Sequence, residues 1–523
     1  MQNKSRMSGI YKNISDWHSF RLKVFAEGIG TGIFAGLVIC FFRWALHETE
    51  AWRASFFKNV LAQNPLYILG WFVALLGIAY VLDKLTKHEP LAAGSGIPQV
   101  KGAILGLIKM RWFSIMWVKL LAGVIGIGAG LSLGREGPSI QLGAVSAQGI
   151  SRFLGRTRME ERYLITSGAS AGLAAAFNAP LAGVMFALEE LHRSFSIVVL
   201  LPSMAAAFTA TVLSRLIFGR APIFNIPDLQ VLHTEDLAIV ILVAIVAGTC
   251  GVIFNKGLLN VHKFYALPIF KSSFHKIAFA LICAGVLGFF LPEVLGGGNN
   301  LINSLANSPA PLTMLLLFLV GKLIFTFISY GCGVPGGFFL PMLVIGALSG
   351  SVISNILISL GLIEASIGPT IVVIAMAALF SSSVRAPITG TVLIMEMTSS
   401  YQQLLSLAVA CMIAFVIAEL CESKPIYEEL LARTLGAKAP SEEIKHQRSL
   451  AEFVVDSGSF CENKMVKDIP WPARALVVDI KRGEASVVPG PNEKLQAGDF
   501  LYILCYNDQV EKINKLCDSI TNE

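Results

Sequence analysis

Gly134-Arg135-Glu136-Gly137-Pro138 places a charged pair between glycines in the middle of an apolar run. Leu120–Gly130 leads into it and Ser139–Val145 follows. A charge inside such a run is expensive to bury, so its presence points to function. Glycines on both sides let backbone amides approach a bound group closely. Pro138 suits the first turn of a helix, where its missing N–H is not needed. The residues around Pro138 are therefore read as opening a helix whose free N–H groups face Glu136. That is an anion site with a carboxylate placed to occupy it. The plainer alternative is a loop with a snorkelling ion pair.

The surroundings decide what kind of protein holds this motif. Of 523 residues, 54% are hydrophobic and only 15% are charged, which no soluble domain of this size shows. Apolar windows recur from Gly28–Phe42 and Asn64–Leu82 to Leu323–Ile363, Ala365–Val384 and Gln402–Ala418. The fold class is an all-α polytopic membrane protein. Several windows are too short, or too rich in Gly and Pro, for plain spans. Broken helices are allowed only where they line a cavity or pack against protein. The net charge is +6. Lys4, Arg6, Lys12, Arg21 and Lys23 precede the first apolar run, which favours a cytoplasmic N-terminus. The nine cysteines are scattered, with no CxxC, and read as packing residues. His47-Glu48-Thr49-Glu50 lacks the second histidine of a zinc motif, and neither a P-loop nor a nucleophile elbow is present. The expectation is no enzyme, no metal, no cofactor and no nucleic-acid partner.

The apolar body repeats itself. Asn178-Ala-Pro-Leu-Ala-Gly183 matches Arg385-Ala-Pro-Ile-Thr-Gly390, with Glu189 and Glu396 at the same spacing behind. Gly143-Ala144 matches Gly346-Ala347, and Gly94-Ser95-Gly96 matches Gly296-Gly297-Gly298. The offset drifts only from 202 (Gly94 to Gly296) to 207 (Asn178 to Arg385). Transporters built from two related halves hold substrate where the halves meet, on half-helix N-termini. An anion on such a path needs partial positive charge that binds it reversibly, which hydroxyls and backbone N–H groups supply.

Four motifs stand in this order: Gly94-Ser95-Gly96-Ile97-Pro98, the Gly134–Pro138 stretch, Gly336-Gly337-Phe338-Phe339-Leu340-Pro341, and Tyr427 in Lys424-Pro-Ile-Tyr427. Together they resemble the CLC family of chloride channels and proton-coupled chloride transporters, over about Phe25–Leu435. The resemblance implies two inverted-repeat halves and a homodimer with one pore in each subunit. It also implies residence among the lipids of a bacterial inner (cell) membrane, with both termini cytoplasmic. By resemblance, Ser95 and Tyr427 hold a central chloride and the amides of Phe338 and Phe339 help. Gly134, Arg135 and Gly137 complete the chloride-binding set. Glu136 is then the external gate and proton carrier, competing with chloride when ionised and swinging away when protonated. Glu190 matches the internal proton acceptor and is expected to be reachable by solvent. Glu189 reads as an interface cap, since its repeat partner Glu396 suggests a structural role. Lys119 reads as balancing charge near Glu136. Many relatives carry carboxylates after Gly-Ser-Gly-Ile-Pro; this chain has Gln99-Val100-Lys101. The implied function is chloride/proton antiport. A passive chloride channel is the first rival, and a ligand-sensing membrane protein the second. Glu190 argues against the one and the intact pore motifs against the other.

Composition changes after Leu435. The expected organisation is an N-terminal helix over 1–24, the membrane body over 25–435, a polar linker over 436–449 and a small α+β cytoplasmic domain over 450–523. Ala475–Ile480, Ala485–Val488 and Asp499–Tyr506 read as strands, and Asp508–Leu516 as a closing amphipathic helix. Val488–Leu504 resembles the regulatory subdomain of potassium-transport gating proteins, the TrkA-C or RCK-C type. That resemblance offers a nucleotide as candidate ligand.

Overall fold

The computed structural model describes residues 2–57, 65–193, 195–226, 229–232, 236–307, 310–436, 448–482, 485–506 and 509–517. They fall into two compact units, Met1–Leu431 and Ala432–Glu523.

The first unit is helical. It opens with a 55-residue helix, Gln2–Phe56. The polar segment expected as a separate helix over 1–24 runs on into it, because no proline interrupts residues 2–56. Among the described residues, nine helices are long and apolar enough to cross a membrane. They differ in surroundings. The Ala365–Val384 span is 89% buried inside the protein and Leu66–His88 only 28%, so the first is central and the second faces outward.

The repeat is visible element by element. The first half runs Ile97–Ile104, Trp112–Gly128, Glu136–Phe153, Arg158–Phe177 and Pro180–Phe186. The second runs Asn299–Asn307, Leu312–Gly331, Phe339–Ser359, Gly368–Val384 and Pro387–Thr398. Arg158–Phe177 starts on a capping box between Thr157 and Glu160. It stops where Asn178 turns left-handed at φ 56°. Its counterpart Gly368–Val384 stops the same way at Arg385, φ 68°. Each is followed by Ala-Pro, and the proline opens the next helix. Gly143 and Gly346 hold equivalent close contacts. A Cβ on Gly143 would run into the Gly168 carbonyl, and one on Gly346 would lie 2.8 Å from Met376 Cα.

The halves part ways behind the last of these helices. After Pro180–Phe186 the first half widens into a π turn, Ala187–His192, whereas Pro387–Thr398 stays α-helical throughout. Such turns are rare and gather at functional sites. This one carries Glu189 and Glu190.

The second unit is a four-stranded antiparallel sheet: β1 (Arg448–Val454), β2 (Leu476–Arg482), β3 (Ala485–Val487) and β4 (Phe500–Tyr506), in the order β1-β4-β2-β3. The helix Val510–Cys517 closes it. Phe453, Ile480, Leu501, Ile503 and Ile513 form its core. β2, β3, β4 and the helix fall where the sequence placed them. β1 was not expected, and it begins inside the segment read as linker. Most of that segment, 437–447, lies outside the described residues.

Candidate functional site

The two halves meet at their signature glycines. Gly134 N–H donates to Gly337 O at 2.5 Å, and Gly337 N–H donates to Gly134 O at 2.8 Å. This bridge sets the N-termini of Glu136–Phe153 and Phe339–Ser359 against each other. The helix expected to open around Pro138 does so, and Glu136 is its first residue. Its carboxylate is fully buried and lies against its own amide and that of Leu340 in the opposite half. Neither oxygen completes a well-formed hydrogen bond.

Glycine is needed on both sides of it. A Cβ on Gly134 would overlap the Glu136 carboxylate and lie 3.2 Å from Leu340 N. A Cβ on Gly137 would lie 2.8 Å from Ser95 O and 2.9 Å from Ser95 Cβ. Gly137 therefore brings Ser95 up to the same helix end. Ser95 is buried, and its Oγ accepts the Ile97 N–H at 3.2 Å, so its own O–H can point elsewhere.

Tyr427 arrives from the far end of the first unit. Its ring stacks on Phe338 with centroids 5.4 Å apart and meets Phe186 edge-on at 6.2 Å. Phe339 packs against Phe177 and Phe186 beside it. Phe338 and Phe339 are fully buried. The Tyr427 hydroxyl is buried too, and among the described residues no group hydrogen-bonds it. A buried O–H without a partner is unfavourable by about 1–3 kcal/mol, so this hydroxyl points to a ligand.

Arg135 faces the other way. With His47, Glu50, Arg53 and Glu293 it lines a cavity of about 1010 Å³ that reaches Leu340. The cavity thus ends at the residue whose amide faces Glu136.

The structure brings Ser95, Gly134, Arg135, Glu136, Gly137, Phe338, Phe339 and Tyr427 into one neighbourhood of helix ends. Glu190 belongs to a second cluster. It is 2% exposed, not open to solvent as expected, because Lys101 Nζ pairs with its Oε1 at 2.7 Å. Glu428, beside Tyr427, joins the same cluster at 3.5 Å from Lys101 and was missed. Lys119 does not balance Glu136. It is fully buried and donates to Ala92 O at 2.9 Å and Gly94 O at 2.7 Å, holding the loop that presents Ser95. Lys322 does the same in the second half, at 2.9 Å to Val294 O and 2.8 Å to Gly296 O. Comparing lysines across the repeat would have revealed this pair.

Known proteins match on both units. The Voltage gated chloride channel family matches residues 78–419, and the TrkA-C domain matches 450–518. The H(+)/Cl(-) exchange transporter ClcA of Vibrio cholerae serotype O1 (strain M66-2) is 34% identical over 423 residues, 77% of this chain and 88% of that protein. ClcA of Vibrio vulnificus (strain YJ016) is 35% identical over 418 residues, 77% of this chain and 88% of that one. Among solved structures, a slow cyanobacterial Cl-/H+ antiporter superposes with a TM-score of 0.75 at 32% identity, covering 79% of this chain and 98% of its own.

Proposed function

The chain belongs to the voltage gated chloride channel family, and on that premise we propose that it exchanges chloride for protons across a membrane. The observation that carries this reading is the Glu136 carboxylate, buried at the meeting of two helix N-termini with the Leu340 amide before it. Ionised, it occupies the positive end of the Phe339–Ser359 helix, where an anion would otherwise sit. Protonated, it no longer competes with chloride for that end and can leave.

The remaining residues take complementary parts. The O–H groups of Ser95 and Tyr427 and the amides of Phe338 and Phe339 hold chloride. Gly134 and Gly137 allow the close approach. Arg135, in the outer cavity, draws anions toward the gate. Glu190 accepts protons at the other end of their route. The protein works as a homodimer in a bacterial inner membrane, with both termini cytoplasmic. Residues 450–523 form a regulatory domain for which a nucleotide is the candidate ligand.

Purified full-length protein in vesicles with a chloride gradient tests the reading. Protons should move uphill, and the reversal potential should depend on both chloride and pH. A reversal potential that follows chloride alone at every pH would make the protein a passive channel.

A further inference from the structure

Lys101 stands between two carboxylates. Its Nζ is 2.7 Å from Glu190 Oε1 and 3.5 Å from Glu428 Oε1. Arg193 pairs with Glu428 as well. The Lys101 and Glu190 side chains are 4% and 2% exposed, whereas Glu428 and Arg193 are 37% and 52% exposed. One ammonium therefore links a buried carboxylate to a half-exposed one. With all four groups charged the cluster is neutral.

The elements packed around it add little charge. On Ile97–Ile104, Lys101 is the one ionisable residue. The π turn contributes Glu190; its Glu189 is directed to the Ile388 and Thr389 N–H groups, and its His192 to Thr166 at 3.3 Å, with Arg162 nearby. The Ile426–Leu435 helix contributes Tyr427 and Glu428; its Glu429 pairs with Lys424 at 3.1 Å.

We propose that Lys101 is a movable counter-ion, whose ammonium passes from Glu190 to Glu428 when Glu190 takes up a proton, and which thereby sets the pH at which Glu190 is loaded. The proposal rests on the antiport reading and deepens it. A proton and an ammonium compete for the same Glu190 oxygens. Once Glu190 is neutral, a buried ammonium needs another partner, since an unpaired buried charge is strongly unfavourable. Glu428 is already within ion-pair distance. The proton also leaves a neutral cluster with one positive charge, close to the Tyr427 hydroxyl. That favours an anion there, so a loaded proton and a held chloride support one another. Lys101 touches neither transported ion and acts as a positioning residue.

The test uses full-length protein in vesicles with a fixed chloride gradient. Proton flux is followed against pH on the face that carries Glu190. Lys101→Met should move the half-maximal pH up by about 1 unit or more, because the competing charge is gone. Lys101→Arg should restore the wild-type midpoint. Glu428→Gln should move the midpoint down, because the ammonium then has no second partner. If Lys101→Met does not fold, Lys101→Gln tests the same sign. Shifts of one sign in both variants, or none in either, overturn the proposal. A wild type that carries chloride but no protons overturns the antiport reading itself, and this proposal with it.

Discussion

Glu189 and Glu396 each cap a helix that belongs to the other's half. Glu189 accepts the Ile388 N–H at 3.2 Å and the Thr389 N–H at 2.7 Å. Glu396 accepts the Leu181 N–H at 3.2 Å and the Ala182 N–H at 2.8 Å. This reciprocity is what a two-fold relation between the halves requires. Both caps are charge-assisted and sit on helix N-termini. Glu189→Ala and Glu396→Ala should therefore each lower stability by about 2–3 kcal/mol. Thermal unfolding in detergent would read it, and a large loss for one with none for the other would break the symmetry argument.

Gly134→Ala puts a methyl group into the Glu136 carboxylate and against Leu340. Chloride-driven proton flux should fall to background. Gly30→Ala is the control, since nothing lies within 4 Å of a Cβ there; it should leave flux unchanged. Flux assays on both, matched for protein incorporated, make the comparison.

Much of this architecture was legible beforehand, for physical reasons. Apolar windows mark spans because no other chain needs so many, and Gly and Pro mark helix ends because they fit there most readily. Asn178-Ala-Pro and Arg385-Ala-Pro turned out to be left-handed stops followed by helix starts. What escaped depends on tertiary proximity. Lys101 and Glu190 are 89 residues apart, and no local pattern pairs them. The π turn at Ala187–His192 has no sequence mark that separates it from an α-turn. β1, Arg448–Val454, starts polar and reads as linker until its pairing with Phe500–Tyr506 gives it a buried face.

Tyr427→Phe removes a hydroxyl that no group among the described residues satisfies. Without chloride the variant should be as stable as the parent or slightly more so, because an unpaired polar group is gone. Its chloride affinity should fall about tenfold, which corresponds to ~1.4 kcal/mol for one lost hydrogen bond. Calorimetric titration with chloride measures it. Unchanged affinity would remove Tyr427 from the anion site.

Acid should loosen the second unit through Asp499. Its carboxylate is 1% exposed. Burial pushes it up, but Arg482 Nε and Nη2, each at 2.8 Å, and the Gln496 N–H at 2.8 Å outweigh that and hold it below the usual carboxylate value. A carboxylate depressed in the folded state stabilises fully above its unfolded value of about 3.9. The contribution is lost as pH falls below that toward the folded value. Hydrogen exchange of β2 and β4 amides, corrected for intrinsic rates, should accelerate over that range. Asp499→Asn should be less protected at neutral pH and lose less on acidification.

Lys119 and Lys322 offer a way to separate the two ends of the path. Each is fully buried and donates to two loop carbonyls, Lys119 to Ala92 and Gly94, Lys322 to Val294 and Gly296. Replacing either with Met keeps the volume close but strands acceptors, each worth about 1–3 kcal/mol if left unmet: Val294 O and Gly296 O for Lys322, and Ala92 O for Lys119, since Gly94 O still accepts the Gly336 N–H at 3.0 Å. Both variants should therefore lose stability, Lys322→Met the more. Their functional effects should differ. The Lys119 loop carries Ser95, so Lys119→Met should also weaken chloride binding. The Lys322 loop brings Gly297 and Gly298 to the cavity that Arg135 lines, so Lys322→Met should slow chloride arrival and spare equilibrium affinity. Stopped-flow uptake and calorimetry on the two variants resolve this. Equal loss of affinity in both would mean that the lysines serve only to hold their own loops in place.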